Sequence, residues 1–201
     1  MKRTESENVP GQPGAPARMR QAIVAVSDRL VRVERPVMGV LIAGIFFVVL
    51  LNLVSRSLGW AFYWADELAI YLMIWAAMVG ASISVKLRTG ISVRLMHDYL
   101  SPGGRHMVDT LVDALVLLSA LCLLAFSWIW YDPLTLISSG FDAATFKSTT
   151  FNFIYHEPTV TLQIQKFWLW LIMPLVALSM TLHASSNLAQ SLAGQELKVS
   201  R

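Results

Sequence analysis

VMGVLIAGIFFVVLLNLV, residues 37–54, contains no charged side chain and one strongly polar one, Asn52. At about 1.5 Å per residue, a helix of this length comes close to covering the ~30 Å hydrocarbon of a bilayer. Three further apolar runs follow, at residues 67–85, 108–130 and 167–187. Membrane-barrel strands are about half as long and alternate apolar with polar residues. These runs are apolar nearly all round, so the chain reads as an all-α membrane protein with four transmembrane helices.

The totals agree. Hydrophobic residues make up 55% of the 201 residues and charged residues 14%, which excludes an ordinary soluble domain. The first apolar run begins only after Pro36 and lacks a small-residue cleavage pattern, so it reads as an uncleaved span. Cys122 is the single cysteine, so neither an intrachain disulfide nor a Cys-x-x-Cys or zinc cluster is possible. There is no Gly-x-Ser-x-Gly, no His-Glu-x-x-His and no phosphate-cradling glycine loop. His97, His106 and His156 lack metal-ligand spacing. The expectation is no enzyme, no cofactor and no metal.

Four spans place both termini on one side, and the basic residues choose it. Of the 16 lysines and arginines, all but Arg56, Lys147 and Lys166 precede span one, join spans two and three, or end the chain. Both termini are therefore expected in the cytoplasm. Trp60, Trp64, Trp128, Trp130, Trp168 and Trp170 all fall at the opposite ends of the spans, as an outer aromatic belt. The net charge of +3 is thus explained by the membrane surface and needs no nucleic-acid partner.

Outside the spans, residues 1–18 are rich in Pro and Gly and read as a disordered cytoplasmic tail. Residues 19–35 carry an apolar stripe (Met19, Ala22, Ile23, Val26, Leu30 and Val33) with Arg20, Arg29, Arg32 and Arg35 off it. That pattern predicts an N-terminal amphipathic helix lying in the interface, touching membrane lipid, or docking on a partner helix. A single four-helix membrane domain then spans residues 19–190, with a second cytoplasmic tail at 191–201. Ile91, Leu95 and Tyr99 suggest a short interfacial helix in the inner connection, between a stop at Gly90 and the Ser101-Pro102-Gly103-Gly104 turn. The outer loop, residues 132–166, has no clear periodicity and its length suits a partner-facing role.

Charges near hydrocarbon are costly, so each needs a reason. Asp66 and Glu67 open span two, where a helix N-terminus welcomes acids and Asp66 is placed to act as N-cap. Arg56, just past span one, is the expected partner of Glu67. Arg105, Asp109 and Asp113 share one face of span three, and Asp113 is expected to pair with Arg105, Arg94 or a partner chain. A proton relay at Asp113 is the competing reading. His183 reads as an interhelical hydrogen-bonding group, Gly80 and its small neighbours as a close helix approach, and Pro174 as a kink in span four.

The order of these features is itself informative. Arg56, Trp64, Asp66, Glu67, Leu68, Trp75, Gly80, Arg88, Ile91 and Val93 resemble, in sequence and spacing, the small membrane subunit of tripartite ATP-independent periplasmic (TRAP) transporters. Two positions depart from that family's usual pattern: Gly90 stands where His is common, and Arg94 where Asp is common. The resemblance implies a bacterial inner-membrane subunit that pairs with a large TRAP membrane subunit and a periplasmic substrate-binding protein. It implies uptake of organic acids driven by a sodium gradient, with the substrate sites on the large, elevator-type subunit and this one as scaffold. Arg56, Trp64, Asp66, Glu67, Gly80, Arg88, Asp109 and Asp113 are then structural or subunit-interface residues. The alternatives are an autonomous small proton- or ion-coupled carrier or channel built around Glu67 and Asp113, or a four-span adaptor subunit.

Overall fold

The computed structural model describes residues 15–89 and 102–194. Helix α1 spans Ala15–Ser57, α2 Tyr63–Leu87, α3 Pro102–Tyr131, α4 Pro133–Ser138, α5 Ala143–Thr150, α6 Lys166–Trp170 and α7 Ile172–Leu192. Four helical stretches, Arg18–Ser57, Tyr63–Leu87, Gly104–Ser138 and Lys166–Leu192, are long and apolar enough to cross a membrane. Helices α1, α2 and α7 pack around one another, and α3 packs on α7. A core of Leu41, Ala76, Val79, Ile172 and Val176 lies where the first three meet.

The N-terminal stripe is the first departure from expectation. Residues 19–35 are no separate interfacial element: α1 is one helix of 43 residues that runs through Pro36, about 65 Å at the usual rise. Its packed face is Ser27, Val31, Glu34, Met38, Leu41, Ile45, Val48, Asn52 and Ser55, all buried or half-buried. These positions advance by alternate steps of four and three, the 3.5-residue repeat of a helix held along its neighbours. Met19, Val26 and Val33 lie about a quarter-turn away and are exposed. Proline removes one backbone hydrogen bond without ending the helix, as membrane helices tolerate when side chains hold the neighbouring turns. Residues 1–14 of the expected tail, the expected short helix around Ile91–Tyr99, and residues 195–201 lie outside the described residues; Ala15–Arg18 already belong to α1.

Span four is interrupted where proline predicts trouble, but earlier than a kink at Pro174. Helix α6 stops at Trp170 and α7 starts at Ile172. Pro174 has no N–H to offer the Trp170 carbonyl. The adjacent Leu169 carbonyl is taken by the indole N–H of Trp75, at 2.7 Å.

The loop at 132–166 is more ordered in its local structure than its aperiodic sequence suggests. Asp132 and Asp142 cap α4 and α5, each side chain accepting from backbone N–H groups. The Thr145 hydroxyl and the Ala144 and Thr145 amides hold the Asp142 carboxyl below its usual pKa range. The last carbonyls of α3 are also satisfied from this loop. Asn152 Nδ2 donates to the Trp130 carbonyl at 2.6 Å and the Tyr155 hydroxyl to the Tyr131 carbonyl at 2.7 Å. Burial, with the nearby Asp132 charge, pushes the Tyr155 hydroxyl above its ordinary pKa. Beyond it the chain turns back on itself, with Pro158 bridged to Gln165 and Glu157 paired with Lys166 at 2.8 Å.

Candidate functional site

The polar groups between the helices fall into three clusters, one near each end of the bundle and one between. The first is built on Arg88. This residue caps α2 in the left-handed conformation, φ 49°, a backbone region that side chains other than glycine seldom adopt. The turn delivers its guanidinium across the ends of α3 and α7. One terminal nitrogen, Nη2, donates to Asp113 of α3, to the Asn187 carbonyl at 2.6 Å and to Ser191 at 2.7 Å on α7. Ser191 in turn donates to Asp113 at 2.5 Å, and Asn187 Nδ2 ties α7 back to the Val85 carbonyl at 2.7 Å. Asp113 is buried and pairs with Arg88, a partner the sequence does not suggest; of the expected partners, Arg94 lies outside the described residues. Two facts could not be seen from spacing on α3 alone: Arg88 stands 25 residues earlier, and its αL turn aims it back at the bundle.

The middle cluster joins α1, α2 and α7 through Glu34. Ser82 of α2 donates to its carboxylate at 2.8 Å, Ser179 of α7 donates to the same oxygen, and His183 Nε2 lies 3.1 Å from the other. An ionised Glu34 can only accept, which puts the ring proton on Nε2 and leaves Nδ1 to accept from Ser27, 2.7 Å away. Ser27, Ser82 and His183 are fully buried. One turn nearer the Arg88 end, Lys86 reaches Asp28 of α1 at 2.6 Å. The interhelical role read for His183 is what the geometry shows. In the sequence Glu34 sits among Arg32 and Arg35 and off the apolar stripe, which hides it; its one signal is a seven-residue spacing from Ser27.

The third cluster corrects the pairing of Arg56. Its partner is Asp66, at 2.5 Å, and Asn52 bridges the two, donating to Asp66 and accepting from Arg56 Nε at 3.2 Å. Asp66 is therefore not the N-cap. Phe62 occupies that position without a side-chain cap, and Asp66 lies in the first turn of α2. Glu67 points elsewhere, into the tip of the hairpin between α5 and α6. Its carboxylate accepts from the backbone N–H groups of Val160, Thr161 and Leu162 at 2.9, 2.6 and 3.0 Å, and from the Thr161 hydroxyl at 2.5 Å. One residue along a helix rotates a side chain by about 100°, which separates the neighbours Asp66 and Glu67 into two attachments. No motif in the loop announced an anion-accepting tip.

The remaining predicted residues are dispersed. Trp64 stacks at a tilt on Phe62, 5.8 Å between centroids. At Gly80 an added Cβ would come within 3.3 Å of the Met38 terminus, so its smallness serves the contact between α1 and α2. Asp109 lines a cavity with Asp113 and Arg88. Among the described residues no group of three or more His, Cys, Asp or Glu side chains is placed to hold a metal ion. What the arrangement does chemically is attachment: carboxylates, hydroxyls and cations of one helix end on those of another.

Residues 45–194 match the family model described as "Tripartite ATP-independent periplasmic transporters, DctQ component", about three quarters of the chain. No curated protein matches. The matched region begins inside α1 and takes in all three clusters except the α1 residues Ser27, Asp28 and Glu34.

Proposed function

The chain belongs to the DctQ component family of tripartite ATP-independent periplasmic transporters, and from that premise we propose that it is the scaffold subunit of a sodium-gradient-driven importer of organic acids. In this reading it does not carry substrate. It braces the large transport subunit in the bacterial inner membrane and works with a periplasmic substrate-binding protein. The excess of Lys and Arg at the Arg88 end supports a cytoplasmic location for that end and for both termini. The Arg56 end, with its tryptophans and the 132–166 loop, then faces the periplasm, where the loop is available to partners.

The observation that carries the scaffold reading is how the membrane-embedded charges are used. Asp28 with Lys86, Glu34 with His183 and Arg88 with Asp113 each join two helices. Glu67, the acid a small carrier would use, is already filled by three backbone N–H groups. Groups this tightly engaged favour a fixed frame over a site that must load and release an ion.

Coexpression with a candidate large subunit and reconstitution into liposomes test the proposal. The chain should copurify with that subunit, show no substrate-dependent sodium flux alone, and be required for flux when the large subunit and the binding protein are added. Flux from the chain alone, abolished by Asp113→Asn, would replace the scaffold with the autonomous carrier.

A further inference from the structure

Helix α3 has little length to spare. Its charge-free stretch, Ala114 to Tyr131, is 18 residues, about 27 Å at the usual rise and less along the membrane normal with any tilt, against ~30 Å of hydrocarbon. Trp128 and Trp130 near its end are belt residues. Asp132 then turns the chain in the left-handed conformation, φ 38°, and α4 begins at once. The chain later returns to the same level. Asn152 donates to the Trp130 carbonyl and the Tyr155 hydroxyl to the Tyr131 carbonyl. The first half of the outer loop is thus a detour fastened at both ends to the last turn of a helix that has barely reached the headgroups.

The detour is seated from within and apolar without. Phe146 of α5 is fully buried, edge-on to Tyr155 with 5.1 Å between centroids. Leu134, Ile137 and Phe141, spaced by three and four residues, are exposed, and so is Phe151 where α5 ends. Phe141 and Phe151 are 71% and 81% exposed, and both hold left-handed backbone, φ 62° and 56°, where glycine or asparagine fits at less cost. Bulky rings kept in the open on unfavourable backbone mark a use outside the fold. Between Asp132 and His156 the charged residues are Asp142 and Lys147. Asp142 caps α5, and the Lys147 ammonium lies over the Phe153 ring at 5.0 Å.

We propose that residues 133–151 are an interfacial foot, with Leu134, Ile137, Phe141 and Phe151 set into the acyl boundary of the leaflet at the Arg56 end. Depth decides for lipid over a soluble protein. A segment tied at both ends to the level of Trp130 lies among headgroups, where lipid is the solvent and a soluble partner must displace it. The scarcity of charge suits that layer, since few ions have to be carried into it. A foot of this kind fixes α3 at its depth, and it leaves the hairpin held by Glu67 as the part of the loop offered to soluble partners. Which leaflet receives the foot follows from the orientation proposed above; the insertion itself depends neither on that orientation nor on what is transported.

The test places single nitroxides on the full chain in nanodiscs: at Cys122 in wild type, and at Phe141→Cys or Phe151→Cys in a Cys122→Ser background. Cys122 is exposed on α3 and is the lipid-facing reference. Relaxation by oxygen, which concentrates in lipid, is compared with relaxation by a water-soluble nickel chelate. Both loop labels should respond to oxygen over nickel, as at Cys122. Predominant relaxation by nickel at both positions puts the segment in water and overturns the foot. The measurement on the chain alone stands whether or not a large subunit copurifies with it. Where a complex forms, oxygen access should persist; its loss at both positions with no gain in nickel access makes the face a protein contact and overturns lipid as the partner.

Discussion

The two ends of this bundle use the same chemistry in different surroundings. At one end Arg88 of α2 meets Asp113 of α3, with side chains 24% and 7% exposed; at the other Arg56 of α1 meets Asp66 of α2, with side chains 58% and 53% exposed. Both are single contacts through one guanidinium nitrogen. What differs is what replaces a lost partner. Around Arg56 and Asp66 water can do so. Around Asp113 there are the Ser191 hydroxyl and a cavity wall shared with Asp109, Asn187 and three valines. An ion pair of this buried kind adds little over an apolar pair, yet breaking it is costly, since one charge is left unanswered.

The largest predicted effect follows from that. Arg88→Ala should destabilise the chain by about 3–5 kcal/mol, read as a fall in the melting temperature of purified protein in detergent. The double variant Arg88→Met/Asp113→Leu should recover most of the loss, because it removes both charges. A double variant no more stable than Arg88→Ala would show that the hydroxyl and backbone contacts of Arg88, and not its charge, are what matter.

Glu34 comes next. Glu34→Ala strips an acceptor from Ser82, Ser179 and His183 together and should cost about 1–3 kcal/mol. Glu34→Gln keeps an acceptor in place and should cost less, and His183→Ala combined with Glu34→Ala should be far from additive, since the two share one network. Additive losses in the melting temperatures would dissolve the cluster into independent contacts.

These two clusters also mark where sequence reading succeeds and fails. The spans were visible because hydrocarbon imposes length and composition on each helix independently of its neighbours. Which face of α1 packs was not visible, since lipid and protein interior are both apolar and the stripe Met19–Val33 could face either. The buried face carries Ser27 and Glu34, polar groups whose partners lie on helices far along the chain. The same limit misassigned Arg56. Two adjacent acids were within reach of one arginine, and only the direction in which each leaves the helix decides between them. Asp113 reads from sequence as a paired acid, but its pairing with Arg88 depends on a left-handed turn at Arg88 itself, two residues before the glycine that marks the stop.

Glu67→Gln should have a local effect at the Arg56 end. The amide oxygen can still accept, but the charge that strengthens all three backbone bonds is gone. Hydrogen exchange at the amides of Val160, Thr161 and Leu162 should accelerate by about tenfold, equivalent to about 1.4 kcal/mol of local opening, while the melting temperature shifts little. Unchanged exchange would mean that the hairpin holds its own shape through the Ile164 N–H bond to the Thr159 hydroxyl and the Glu157–Lys166 pair, with Glu67 a passenger.

Arg56→Ala should be the mildest, costing about 0–1 kcal/mol, because its pair with Asp66 is exposed and screened. Salt separates it from Arg88→Ala more cleanly than magnitude does. At ~1 M salt the Debye length is about 3 Å, so the difference between Arg56→Ala and wild type should vanish, whereas the loss in Arg88→Ala should persist because the Asp113 side chain is only 7% exposed. If the Arg56 loss survives high salt, the contact is held by the Asn52 bridge and not by charge. Asn52→Ala should then reproduce that loss, and the two ends would differ in geometry as well as in solvent.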